Sequence, residues 1–105
     1  MTFGFHDEAL QEYQAAGLWY EEQRPGLGLR FTQTIEAAIF GILANPERFQ
    51  AVGHGVRIFR VKRFPYYLYY QFQKEGDHVR ILAVLHKKRR PDFWRNRLNE
   101  PGAGS

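Results

Sequence analysis

Residues 56–97 read VRIFRVKRFPYYLYYQFQKEGDHVRILAVLHKKRRPDFWRNR, and the fold is decided by how this stretch alternates. From 56 to 63 the period is two, with Phe59 and Val61 on one side and Ile58, Arg60 and Lys62 on the other, which predicts a strand. Phe64 and Pro65 interrupt it, because proline suits a strand start or an edge and not a strand centre. A second strand is expected over 66–74, a hairpin turn at Glu75, Gly76 and Asp77, and a third strand over 78–86. The Ile81-Leu82-Ala83-Val84-Leu85 core of that last strand is apolar on both sides, as a central strand is. Pro91, Asp92, Phe93 and Trp94 then read as the start of a short helix, proline being well placed in a first turn.

Upstream the period changes to that of a helix. Ala9, Tyr13, Ala16 and Tyr20, widened by Leu10 and Trp19, mark one stripe, and Asp7 and Glu8 put acids in its first turn, where the macrodipole favours them. This helix is expected to run to about Gln23, where Arg24-Pro25-Gly26-Leu27-Gly28 breaks it. Phe31, Ile35, Ala38, Ile39, Ile42 and Leu43 mark a second helical stripe, ended by Asn45 and Pro46. Phe3 and Phe5 suggest a first strand over 2–5. The expected class is therefore α+β: order β-α-α-β-β-β with a short C-terminal helix, a helical hairpin burying its stripes on one face of a small antiparallel sheet. The other face, carrying Arg60, Lys62 and the tyrosines, is expected to stay open for a partner. Residues 1–98 read as a single domain and 99–105 as a disordered tail.

Charge is distributed unevenly. The chain of 105 residues has a net charge of +4, yet residues 1–50 hold three basic side chains (Arg24, Arg30, Arg48) against seven acidic ones, and residues 51–105 hold twelve basic against four acidic. Such a split suggests one face built for an acidic partner or a polyanion. There is no cysteine, so disulfide and thiolate chemistry are excluded and a reducing cytoplasm is the expected setting. No run approaches the roughly 20 apolar residues that span a bilayer, so no membrane role is expected.

Several chemistries fall away. The histidines at 6, 54, 78 and 86 lack metal-ligand spacing. The one serine, Ser105, lies at the end of the chain, which leaves no serine triad. The glycines lie in separate turns, so phosphate-loop and dinucleotide fingerprints are absent and no cofactor is expected. What remains is cationic and aromatic. Arg60, Lys62 and Arg63, with Lys87, Lys88, Arg89 and Arg90, suit phosphates or carboxylates, and Tyr67, Tyr69 and Trp94 suit stacking on bases. Tyrosines on strands are packing residues more often than contacts. His86, at a strand end, suits a general acid or base, or a structural hydrogen bond.

Taken in order, these residues resemble the RelE/ParE superfamily of toxins from type II toxin–antitoxin systems, also described as plasmid-stabilisation proteins. The resemblance rests on Val56 and Arg57, on Arg63-Phe64-Pro65-Tyr66 leading to Tyr69 and Tyr70, and on Ile81 to His86 followed by Arg89, Pro91, Trp94 and Arg97. In the first half it rests on Glu8, Ala9, Trp19, Tyr20, Pro25-Gly26-Leu27-Gly28, Phe31, Asn45 and Pro46. It implies a toxin neutralised by a cognate antitoxin in a hetero-oligomer. RelE-like members cleave messenger RNA on the ribosome with lysines and arginines of the sheet and a C-terminal tyrosine. Here Arg60 and Lys62 hold matching strand positions, with His86 and Arg89 as the remaining catalytic candidates. Tyr67 stands where an arginine is expected, however, and Trp94 lies in the region of the tyrosine. The chain is more similar to the ParE-like branch, which implies a non-enzymatic inhibitor of DNA gyrase. Target contact is then expected through Arg60, Lys62, Arg63, Tyr67, His86, Lys87, Lys88, Arg89, Arg90, Trp94 and Arg97. A basic nucleic-acid-binding module without toxicity is the reading from another class.

Overall fold

The computed structural model describes residues 1–90 and 92–98. Along the chain come β1 (Thr2–Phe5), α1 (Asp7–Gln23), α2 (Leu27–Ala44), β2 (Gln50–Gly53), β3 (Val56–Arg60), β4 (Tyr66–Gln73), β5 (His78–His86) and a short 3-10 turn, Phe93–Arg97. The strands form one sheet in the order β1-β5-β4-β3-β2. The α+β class and the helical hairpin on the sheet are as the sequence predicts. Pro91 and the tail from 99 onward, expected as a first helical turn and a disordered end, lie outside the described residues.

The sheet differs from expectation in three respects. It is mixed, because β1 runs parallel to β5 in the register Thr2 to His78 through Phe5 to Ile81. Parallel neighbours need a long crossover, and the two helices begin it. It also has one strand more: β2 pairs antiparallel with β3 through a bulge between Ala51 and Gly53. Finally, β3 ends at Arg60 and not at 63. Arg63 takes φ +76°, a left-handed conformation that costs a non-glycine residue about 1 kcal/mol or more and turns the chain out of the strand.

α1 begins at His6, whose Nδ1 accepts the Glu8 amide N–H at 3.1 Å. Gly26 carries the turn between the helices at φ +88°. The Glu21 carboxylate accepts the amide N–H groups of Gly26 and Gly28, each near 3.0 Å, and so serves the bare start of α2. A Cβ on Gly28 would sit 2.6 Å from the Gly17 carbonyl, so glycine is what lets the helices touch here. α2 has the length and composition of a membrane-crossing helix, where no such run was expected. Its Phe31, Ile35, Ile39 and Ile42 nevertheless face Leu68, Tyr70, Val79, Ile81 and Val84 in the core. The Tyr70 hydroxyl donates to the Pro46 carbonyl at 2.6 Å, and burial pushes its pKa up to about 12, against the lowering pull of Arg57.

The second face of the sheet is not open. Val56, Ile58, Tyr69, Leu82, Ala83 and Leu85 form another apolar cluster there, covered by Trp94 with Leu98 packed beside it. A bulge makes this possible. Tyr69 pairs with Ala83 and Tyr70 with Ile81, so Leu82 is the extra residue and the face of β5 changes phase. Both faces of β5 are thereby buried, which explains its continuous apolar run.

Candidate target and antitoxin surface

β1 covers the edge of β5 only as far as Ile81, whose carbonyl accepts the His6 amide N–H at 2.8 Å. Beyond that point side chains take the place of a strand. Glu12 Oε1 accepts the Val84 amide N–H at 3.0 Å, and Arg97 donates to the Leu82 carbonyl at 2.9 Å. Arg97, 3% exposed, also pairs with Glu12 at 2.7 Å and with Glu8 at 3.0 Å. This clasp fixes the C-terminal segment to α1 and holds Trp94, 2% exposed, against the second face.

The residues expected to meet a target therefore divide into groups. Trp94 and Arg97, both expected to contact a target, are 2% and 3% exposed in the chain by itself. The reason is that the C-terminal segment folds back over the sheet. Arg60 lies on the Trp94 side, its guanidinium 5.5 Å from the Tyr67 ring, and Tyr67 is half-buried against the second cluster. Lys62 and Arg63 are exposed on the helix side. Arg60 and Lys62, expected to share a face, are thus parted by the early end of β3.

Residues 87–90 form an exposed basic turn at the end of β5. The Lys87 amide N–H donates to the Pro65 carbonyl at 2.8 Å and the Arg89 amide N–H to the His86 carbonyl at 2.9 Å. His86 is half-buried, and its Nδ1 accepts the Lys88 amide N–H at 3.1 Å, leaving Nε2 to carry the proton of the neutral ring. Arg89 stacks over Phe93 at 4.5 Å, and Arg90 pairs with Asp92 at 3.5 Å.

A groove of about 950 Å³ opens on the helix side between α2 and the end of β3. Leu27, Ala37, Ala38, Phe59, Val61 and Phe64 give it an apolar floor, and Arg30, Lys62 and Arg63 give it a basic rim. Periodicity places the helix-borne half of this groove on α2. The contribution from residues 61–65 depends on the turn at Arg63, which no pattern announced.

The model of the ParE toxin of the type II toxin–antitoxin system parDE matches residues 4–91, which takes in the end of β1, both helices, β2 to β5 and the basic turn. The chain belongs to the ParE toxin family. Among solved structures, this ParE-family chain is similar to one from the chromosomal ParDE TA system of P. aeruginosa, with TM-score 0.69 at 20% identity over 82% of this chain and 95% of that one. It is also similar to the isolated E. coli RelE toxin, with TM-score 0.63 at 18% identity over 90% of this chain and 93% of that one. At these identities the likeness is one of fold. No curated protein matches the sequence.

Proposed function

We propose that this ParE-family toxin arrests growth by inhibiting DNA gyrase, and that an antitoxin neutralises it by occupying the α2 groove. The observation that carries the choice of target is that, among the described residues, the C-terminal tyrosine a ribonuclease would use as proton donor is missing. Trp94 occupies the region of the ribonuclease tyrosine, is buried, and has no titratable proton to deliver. His86 keeps an N–H at Nε2, its Nδ1 being held by the Lys88 amide, so the His86→Ala comparison below decides its part. Arg60 also stands on the far side of the sheet from Lys62, which disfavours joint stabilisation of one phosphate. A toxin that works by contact needs no such constellation.

Purified gyrase relaxing or supercoiling plasmid, and primer extension on messenger RNA from translating ribosomes, separate the two readings. Inhibition of supercoiling with intact messenger RNA is expected. Codon-spaced cuts that disappear in His86→Ala, with supercoiling untouched, would establish the ribonuclease instead. Robust growth under strong induction of folded protein would remove the toxic activity itself.

For the antitoxin, the apolar floor and basic rim favour a segment with an apolar stripe flanked by acids, ordering as it binds. Its affinity is expected to fall as salt rises, because screening shortens from about 10 Å at 0.1 M to about 3 Å at 1 M. Affinity indifferent to salt would remove Arg30, Lys62 and Arg63 from the contact.

A further inference from the structure

Trp19 is 54% exposed on α1, although the sequence pattern assigns it to the buried stripe. Its position follows from the clasp. Glu8, Glu12 and Trp19 share one flank of α1 by helical spacing, and Glu12 is fixed at Val84 of β5. α1 advances along β5 in the direction of that strand, from His6 at Ile81 to Glu12 at Val84. Seven more residues of helix advance about 10 Å, and three more residues of strand also advance about 10 Å, which sets Trp19 level with Lys87. A chain of ring contacts reaches the same place independently. Trp19 lies 5.0 Å from Tyr20, Tyr20 lies 6.2 Å from Tyr66, and Tyr66 lies 5.6 Å from His86.

We propose that Trp19 and the basic turn 87–90 form one docking surface for an acidic face of the toxin's target protein, with Trp19 as its anchor. The inference rests on the contact-inhibitor reading above and adds the residue on which it turns. An exposed tryptophan braced by a second ring and set level with a basic turn has the make-up of an interface centre. The turn supplies charge that speeds encounter with an acidic surface. Glu22, three residues after Trp19 and on the same flank by helical spacing, makes this surface mixed in sign, which suits a protein face better than a uniform polyanion.

Trp19→Ala tests this through growth arrest on induction, inhibition of purified gyrase, and a thermal melt. Truncating a binding hot spot costs about thirtyfold in affinity or more, so about thirtyfold more Trp19→Ala protein is expected for equal inhibition, with growth restored and the melt nearly unchanged. Leu29→Ala, which removes another apolar side chain that is 62% exposed, is expected to remain fully toxic. Should Trp19→Ala fail to fold, Lys88→Glu carries the test, since it alters an exposed side chain whose backbone N–H bond to His86 is kept. Full toxicity in folded Trp19→Ala, or in Lys88→Glu, overturns the proposal. A matching loss of affinity for a short DNA duplex without gyrase overturns it in favour of nucleic acid. Wild-type protein that arrests growth without affecting gyrase removes the named target, while the growth readout still decides the role of Trp19.

Discussion

Arg97→Ala is expected to remove about 3–5 kcal/mol of folding stability, the range found when one partner of a buried ion pair is deleted. The side chain is 3% exposed, so its guanidinium is almost fully desolvated, and its deletion leaves a partly buried carboxylate without its cation. Glu12, with 21% of its side chain exposed, carries most of the effect. Glu8 is 57% exposed, and its share is small because solvent screens it. The loss also strands the Leu82 carbonyl at the uncovered edge of β5. A small domain has about 5–15 kcal/mol in all, and each kcal/mol moves its melting point by about 4–8 °C, so a fall of more than about 12 °C is expected. A double-mutant cycle with Glu12→Gln isolates the pair and should give strong coupling. A melting point within about 2 °C of wild type would show that the clasp is not formed in solution.

The clasp also marks the limit of what the sequence discloses. Arg97 and Glu12 are 85 residues apart, and nothing in their spacing announces contact. Both α-helices and the last two strands are legible, because their apolar periods extend over several turns or pairs. β2 is not, since Gln50–Gly53 is four residues long with a bulge and no alternation. The burial of Trp94 is illegible for the same reason as the clasp: it depends on the last segment folding back onto Leu82 and Tyr69. Its basic neighbours at 87–90 were readable as exposed, because consecutive cations are seldom buried. Trp19 is the reverse case. Its helical position suggested the core, but it falls on the flank of Glu8 and Glu12 at the margin of the apolar stripe, and is 54% exposed.

Phe31→Ala is expected to cost about 3–5 kcal/mol, and Ile39→Ala about 2–5 kcal/mol, as large-to-small changes in a packed core do. Both residues are buried on α2, at 0% and 3% exposure, so stability alone does not distinguish them. Their neighbours do. Phe31 packs its ring against Tyr20, Phe64 and Tyr66 at 5.1, 5.2 and 5.1 Å. Tyr20 braces Trp19, and Phe64 forms part of the groove. Ile39 instead lies toward Phe3, Phe5 and Phe40 at another part of the helical face. Milder substitutions expose the difference: Phe31→Leu and Ile39→Val should both remain folded at a permissive temperature. Under the proposed function, Phe31→Leu is expected to lose gyrase inhibition by a larger factor than Ile39→Val, because the stacked contact with Tyr20 and the edge-to-face contact with Phe64 are replaced by a flexible aliphatic chain. A denaturation midpoint unmoved by Phe31→Ala would mean that the helical face is misplaced. Equal inhibition by Phe31→Leu and Ile39→Val, at matched folded fractions, would separate the aromatic core from the docking surface and leave Trp19 to be positioned by its helix alone.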